Sequence, residues 1–343
     1  MDLLPSPEQT EIIDSSASFL AAQMPLGRTR SLFETGVVPA VDAGAWAAAA
    51  ELGWFALGLP ADLGGVGCGL ADEVLLLREI GRVLAPGPFV STVLGARVAA
   101  FGGAPGLADE IIAGRRVGLA VPGTAHPLGA DGSLGGAVQL IDGTDGLVLV
   151  VTPVAAAIID VSDLTGVETV PCIDPTVLLQ RATATSVRPV ATLANTADPI
   201  QQRADVLVAA VLTGIAEWAC AASARHAIDR VQFGRPIGVN QAVKHPCADS
   251  LVQSRLAYAQ TLFAGLAVDE GRADAELQAV SALLTASAAA DSATAVTVQV
   301  LGGMGFTHEH DVQLYVKKTI QLTQTLGGTS ARLSRLLTLP EPN

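Results

Sequence analysis

Apolar residues recur at helical spacing over much of the chain, and the clearest run lies just after residue 200. The run consists of Leu207, Ala210, Val211, Gly214, Ile215 and Trp218. This spacing of i, i+3, i+4, i+7, i+8 and i+11 predicts a helix with a continuous buried stripe. Similar patterns predict long helical segments at about 238–271, 274–301 and 309–325.

The N-terminal part is also predicted to be helical. Ser6-Pro-Glu-Gln9 has the arrangement of a capping box, with Ser as N-cap, Pro at the first helical position and Gln three residues after the Ser. Two further helices are predicted, at about 42–52 and 70–84. The stretch between them, residues 57–69, is rich in Gly and Pro, which opposes regular structure.

The pattern changes near residue 115 to short β-branched runs separated by Gly, Asp and Pro. The runs lie at 117–121, 137–141, 146–152, 155–161 and 181–189. They predict a small antiparallel sheet or barrel that ends before Asp198-Pro199. The interpretation is an α+β chain with an N-terminal helical domain (1–115), a shortened middle β domain (116–195) and a C-terminal four-helix-bundle domain (196–343).

Composition excludes several classes of function. The 343 residues carry 20 basic and 33 acidic side chains, a net charge of −13, which argues against binding to nucleic acid or an anionic membrane. The four cysteines are widely separated, so we expect free thiols and no metal site. No uninterrupted apolar run reaches the ~18–20 residues of a membrane span. The first residues do not resemble a signal peptide, so we expect a soluble cytoplasmic protein.

Three motifs in the C-terminal third carry candidate chemistry. Arg230-Val-Gln-Phe-Gly-Arg-Pro-Ile237 offers a guanidinium that can hold a pyrophosphate and an aromatic ring, Phe233, that can cover an adenine. Gln299-Val-Leu-Gly-Gly-Met-Gly-Phe-Thr307 and Leu326-Gly-Gly-Thr329 follow it. Taken alone, each has a structural explanation: an Arg that caps carbonyls, a Phe in the core, glycines that end a helix.

In this order the three motifs resemble the C-terminal domain of the acyl-CoA dehydrogenases, which are flavoenzymes, and Gln241, His245 and Asp249 follow at the family's spacing. The three-part order of domains is similar as well. The resemblance implies an FAD cofactor, with the Arg and Gln-Gly-Gly motifs reaching across a subunit interface and Thr329 close to the flavin of its own subunit. The residues that it implies for FAD binding are Arg230, Gln232, Phe233, Gln241, Gln299, Gly302, Gly303 and Thr329.

The chain departs from the family pattern where the chemistry is expected. Gly327 occupies the position of the usual catalytic Glu, and Ala204 occupies the position of the alternative Glu of a family subgroup. General-base catalysis needs a positioned titratable group, which neither residue supplies. Asp205 is the nearest carboxylate, but on a helix it points about 100° away from its neighbour. The residues Val121–Leu128 replace the family's flavin-contacting segment, and no Lys-x-Trp-Ile-Ser/Thr segment is present.

Three hypotheses follow. The first is a subunit of a heteromeric FAD-dependent acyl-CoA dehydrogenase, similar to the shortened subunit of actinobacterial α₂β₂ enzymes that act on steroid-derived CoA thioesters. A catalytic partner would supply the base, and an electron-transfer flavoprotein-type acceptor would take the electrons. The second is a homomeric enzyme with a non-standard base such as Asp205. The third is a flavin-free interaction subunit, which the retained motifs disfavour.

Overall fold

The computed structural model describes residues 4–123, 127–129 and 132–339. The chain forms two compact units, each assembled from separate stretches of sequence. The first, called here the bundle unit, comprises Met1–Ala21, Val74–Ala85 and Asp205–Asn343. The second, the sheet unit, comprises Ala22–Glu73 and Pro86–Ala204. Along the sequence, helices precede a central sheet and helices follow it, so the predicted fold class is confirmed. The domain boundaries at 115 and 195 stay predictions.

The helices are α1 Pro7–Gln23, α2 Leu26–Glu34, α3 Ala43–Glu51, α4 Leu70–Val83, α5 Phe89–Phe101, α6 Pro105–Ile112, α7 Ile200–Asp229, α8 Gln241–Asp269, α9 Ala275–Leu301, α10 Val312–Gln324 and α11 Gly328–Leu336. The individually predicted helices begin and end close to the predicted positions, whereas α2, α5, α6 and α11 were not predicted as separate helices. The predicted capping box is present: the Ser6 N–H donates to Gln9 Oε1 at 3.1 Å and the Gln9 N–H donates to Ser6 Oγ at 3.2 Å.

The sheet unit contains a seven-stranded sheet. Its strands are β1 Gly118–Pro122, β2 Leu134–Ile141, β3 Leu147–Val151, β4 Ala155–Asp160, β5 Thr165–Thr169, β6 Leu179–Val187 and β7 Ala191–Ala194, in the order β5-β6-β2-β1-β3-β4-β7. The prediction of a purely antiparallel sheet was wrong, because β1 and β3 pair in parallel. Strands β5 and β7 were missed, since β5 is exposed along its whole length and lacks a buried alternate face.

One face of this sheet is closed by a core of small and branched side chains. It includes Leu134, Leu140, Val148 and Ile159, all with no exposed surface. The connection between β2 and β3 spans only residues 142–146. Asp142, the first residue of this connection, accepts a side-chain hydrogen bond from the Leu178 N–H at 2.8 Å, which ties the connection to the start of β6. The connection is therefore too short to hold an additional loop between β2 and β3.

The bundle unit is organised around α7. Residues 205–216 of this helix are all buried, so it is surrounded on every side, whereas the sequence pattern predicted a single buried stripe. Trp218 extends the packing by stacking on Tyr315 of α10, with ring centroids 3.4 Å apart. The length and hydropathy of α7 and α9 would suffice to cross a membrane. The apolar window of α7 is 78% buried within the fold, which is typical of a core helix.

Helices α4 and α7 touch backbone to backbone. A Cβ added at Gly81 would lie 2.1 Å from the Val211 carbonyl oxygen, and one at Gly214 would lie 2.0 Å from the Arg78 carbonyl oxygen. Beside this crossing, Arg78 donates from Nε to Glu217 Oε2 at 2.8 Å. The two glycines therefore set the distance between the helices, and the ion pair fixes their register.

We expect Gly214→Ala to lower the free energy of unfolding by about 1–3 kcal/mol. The added methyl group must displace backbone atoms, and this outweighs the ~1 kcal/mol that Ala gains over Gly in a helix. Denaturant unfolding measures the change. Gly27→Ala is the control, because it lies in α2 with no atom within 4 Å of the added Cβ. Equal stability of Gly214→Ala and Gly27→Ala would contradict the close crossing.

Candidate functional site

The Arg230 motif forms a β-hairpin at the end of α7. Two short strands, β8 Val231–Gln232 and β9 Arg235–Pro236, pair across a two-residue loop made of Phe233 and Gly234. Both loop residues have positive φ, +54° and +79°, as a tight primed hairpin turn requires. Gly adopts this conformation freely, whereas Phe does so at a cost.

This hairpin holds its side chains out in solvent. Phe233 is fully exposed, at 102%, and Arg230 and Gln232 are also exposed. The Arg230 side chain forms no hydrogen bond or ion pair with any residue in the described ranges. The structural explanation of the motif, a capping Arg and a core Phe, is therefore wrong. An unpaired guanidinium beside a projecting aromatic ring is suited to a phosphate and a flat ring system.

The Gln299 motif closes α9. Gln299 is exposed, and its carbonyl accepts the N–H of Gly302. Gly302 has φ +62° and ψ −135°, a region that is nearly confined to glycine. An added Cβ at Gly303 would meet nothing within 4 Å, so this residue leaves open backbone that a ligand can approach. Gly305, by contrast, has a packing role that the motif did not reveal, since its Cβ would lie 2.7 Å from the Val298 carbonyl oxygen.

The third motif is a tight turn between α10 and α11. The Gly328 N–H donates to the Thr325 carbonyl, and the central residues Leu326 (φ 54°, ψ 36°) and Gly327 (φ 91°, ψ −2°) have the angles of a type I′ turn. Thr329 follows in the first turn of α11 and is exposed. The first helical turn also leaves backbone N–H groups unpaired. The turn therefore presents donors, and Gly327 contributes no side chain.

The described residues show no hydrogen bond between these three motifs within one chain. Gln241 lies exposed at the first residue of α8, and His245 and Asp249 are also exposed along that helix. The Arg230 hairpin, the Gln299 segment and the Thr329 turn are thus separate exposed features of the bundle unit. This arrangement is compatible with a ligand that contacts more than one subunit.

Asp205 is placed differently from a catalytic base. Its side chain is 1% exposed, and its Oδ2 accepts from Arg335 Nη1 at 2.6 Å. Arg335 also donates from Nε to Glu276 Oε1 at 2.7 Å. The ion pairs connect α7, α9 and α11, and the Asp205 and Glu276 carboxylates raise the pKa of Arg335 against the effect of its burial. The suggestion of Asp205 as a base conflicts with this geometry, because a buried paired carboxylate cannot reach a substrate. Ala204, at the alternative position, is buried as well.

The sheet unit contains the two regions in which the sequence departs from the family pattern. In the Val121–Leu128 segment, residues 124–126 lie outside the described residues. Val121 and Pro122 end β1, and the connection from β2 to β3 is five residues long. Among the residues that the structure describes, no group of three His, Cys, Asp or Glu side chains could hold a metal ion. His310 instead accepts the Val312 N–H at Nδ1, 3.1 Å away, at the start of α10.

Comparisons with known proteins agree with this description. The chain matches the acyl-CoA dehydrogenase N-terminal domain over residues 6–114 and the C-terminal domain over residues 202–338. Acyl-CoA dehydrogenase IpdE2 of Mycobacterium tuberculosis is 32% identical over 83% of this chain and 83% of its own length. The chain therefore belongs to the acyl-CoA dehydrogenase family.

Two further comparisons are with a longer relative and with a solved structure. Acyl-CoA dehydrogenase FadE34 of M. tuberculosis is 31% identical over 88% of this chain, which spans only 43% of that protein. A variant of the Tcur3481–Tcur3483 steroid acyl-CoA dehydrogenase (ACAD) superimposes with a TM-score of 0.83 and 26% identity, over 97% of both chains. The expected resemblance to steroid acyl-CoA dehydrogenases is confirmed.

We expect Asp205→Asn to lower the free energy of unfolding by about 3–5 kcal/mol, since it breaks a buried ion pair and leaves the Arg335 charge poorly compensated. Glu276→Gln is the matched control. It changes the other partner of the same guanidinium, but that carboxylate is 41% exposed, so a loss below about 1 kcal/mol is expected. Denaturant unfolding of both variants measures the difference. Equal losses would contradict a structural role that is specific to Asp205.

Proposed function

We propose that this chain is the non-catalytic subunit of a heteromeric FAD-dependent acyl-CoA dehydrogenase. It contributes one end of a flavin site and relies on a catalytic partner subunit for the other. A bound flavin would accept the β-hydride of an acyl-CoA thioester. The observation that carries the proposal is a contrast within the site: the groups suited to the dinucleotide are present and exposed, whereas neither Gly327 nor the buried, paired Asp205 offers a base.

The dinucleotide end fits the residues that are present. Arg230 would pair with the pyrophosphate, and Phe233 would cover the adenine face. Gln232 and Gln241, both exposed, would add polar contacts. The open backbone at Gly302 and Gly303, with Gln299 before it, allows close approach of a ligand. These residues retain a ligand-binding arrangement that a purely structural subunit would not need.

The residues that would face the reacting flavin ring do not form a complete site. Thr329 and the unpaired N–H groups of α11 can donate to a ring, but the β2–β3 connection supplies no aromatic segment. The type I′ turn also disfavours a base at position 327. A side chain there would adopt φ +91°, and its Cβ would lie 3.1 Å from the Cβ of Ala331. We therefore infer that the catalytic carboxylate comes from another chain.

A partner is supported by exposed apolar side chains in the stretch of chain from the end of α7 through the Arg230 hairpin into α8. Seven large hydrophobic side chains between residues 228 and 256 are at least 45% exposed: Ile228, Val231, Phe233, Val239, Leu251, Val252 and Leu256. In addition, none of residues 241–249 at the start of α8 is buried. A concentration of exposed apolar side chains is typical of a protein–protein interface. We infer that the catalytic partner covers this surface in an α₂β₂ assembly.

Relatives support the substrate class. The 26%-identical neighbour is a steroid ACAD with two named components, so we propose a steroid-derived acyl-CoA as substrate and a heterotetramer as the assembly. An electron-transfer flavoprotein-type acceptor and a cytoplasmic location complete the proposal. The alternative of a homomeric enzyme with Asp205 as its base is disfavoured by the burial and pairing of that carboxylate. The flavin-free alternative is disfavoured by the unpaired Arg230 and projecting Phe233.

We expect Arg230→Ala to weaken flavin retention by the co-expressed complex about tenfold to a hundredfold, which corresponds to the loss of a charge-assisted phosphate contact of roughly 1.5–3 kcal/mol. The flavin dissociation constant of the purified complex measures it. Arg225→Ala is the control, because Arg225 is an exposed arginine of the same helix α7, outside the hairpin. Unchanged retention in Arg230→Ala, with normal assembly, would show that this guanidinium does not bind the cofactor.

We expect that Gly327→Glu does not restore a working base. The substitution places a side chain at positive φ, at a cost of about 1–2 kcal/mol, and the turn must distort before the carboxylate can reach a substrate. Acyl-CoA oxidation by the chain without its partner should stay at background. Ser330→Glu, at an exposed position in the first turn of α11, adds the same charge and should leave stability nearly unchanged. Activity gained by Gly327→Glu alone would contradict the steric argument.

A further inference from the structure

Arg332 is a buried charge that the proposed function does not use. It lies on α11 and is 2% exposed. Its Nη2 donates to the Thr325 carbonyl at 2.6 Å. Its Nε and Nη1 have no hydrogen-bond partner among the described residues. Leaving buried donors unpaired costs free energy, so this arginine is expensive to keep in the fold.

The electrostatic surroundings compensate this cost only in part. Burial lowers the pKa of Arg332, and the Asp205 carboxylate acts in the opposite direction. However, the Asp205 carboxylate is bound at 2.6 Å to Arg335, so two guanidinium groups share one buried negative charge. An apolar side chain of similar size would avoid both the unpaired donors and the excess positive charge. Stability therefore does not account for the arginine.

The single hydrogen bond that Arg332 makes is directed at a strained point of the chain. Thr325 ends α10, and its carbonyl accepts both the Gly328 N–H, which closes the type I′ turn, and the Arg332 guanidinium. Leu326, the first central residue of that turn, has φ 54°, which costs a non-glycine residue about 1–2 kcal/mol. A charge-assisted bond to the turn's own acceptor stabilises the conformation that the sequence disfavours.

We propose that Arg332 is a positioning residue that holds the Thr325–Gly328 turn in its type I′ conformation. This type I′ turn sets the direction in which α11 begins. It therefore also sets the position of Thr329 and of the unpaired N–H groups at the start of the helix. This consequence concerns the backbone of this chain alone and does not depend on a bound flavin.

The test compares Arg332→Leu with Arg332→Lys in the full chain, co-expressed with its partner. Hydrogen exchange of the Gly328 amide, whose N–H donates to the Thr325 carbonyl, reports the turn directly and requires no flavin. We expect Arg332→Leu to accelerate this exchange at least tenfold, while the unfolding temperature is unchanged or higher. Arg332→Lys should restore slow exchange, because an ammonium group can still donate to the Thr325 carbonyl.

Two results would overturn the inference. Unchanged exchange in Arg332→Leu would show that the guanidinium does not hold the turn. Faster exchange throughout the bundle unit, with a lower unfolding temperature, would assign Arg332 a general structural role. The Arg230→Ala measurement stands apart from both, so failure of the proposed function is separately visible.

Discussion

The arrangement of the candidate site depends on one backbone constraint, the type I′ turn at Leu326 and Gly327. Both residues hold positive φ, so the chain keeps at this point a conformation that favours glycine. The turn disfavours any side chain at position 327 and fixes the start of α11 with its exposed Thr329. The buried Arg332 donates a hydrogen bond to the Thr325 carbonyl of the same turn. Glycine at position 327 is thus favoured by the backbone conformation.

The bundle unit around this turn is stabilised by features that serve packing. Gly81 and Gly214 let α4 and α7 touch, and Trp218 stacks on Tyr315. Asp205, which lies beside the position of the family's alternative base, is committed to Arg335. Asp205 is therefore structural, and the exposed groups of the three motifs are suited to binding phosphate, adenine and a protein partner. A subunit that holds a cofactor while another supplies the base accounts for both sets of residues.

Much of this could be predicted from the sequence. Helix periodicity and the Ser6–Gln9 capping box predicted the long helices because these signals are local. The parallel pairing of β1 and β3 was missed, since strand order depends on contacts that no local pattern encodes. The motifs identified Arg230 and Gln299, but the strained turn conformation of Phe233 and Leu326 has no signature in a single residue type. Likewise, Gly305 looked like part of a ligand motif, and only the distance to the Val298 carbonyl revealed its packing role.

The most direct test of the account is the flavin-to-protein ratio of the purified complex between this chain and a catalytic partner encoded by a neighbouring gene. Flavin absorbance and subunit mass give this ratio. The account predicts about one FAD for each pair of unlike subunits. Such a pair has two interface sites, and only one of them combines the Arg230 motif of this chain with the flavin-ring contacts of the catalytic partner. The account also predicts little bound flavin when this chain is expressed alone. A yellow homomer of this chain with one flavin per subunit would contradict the account.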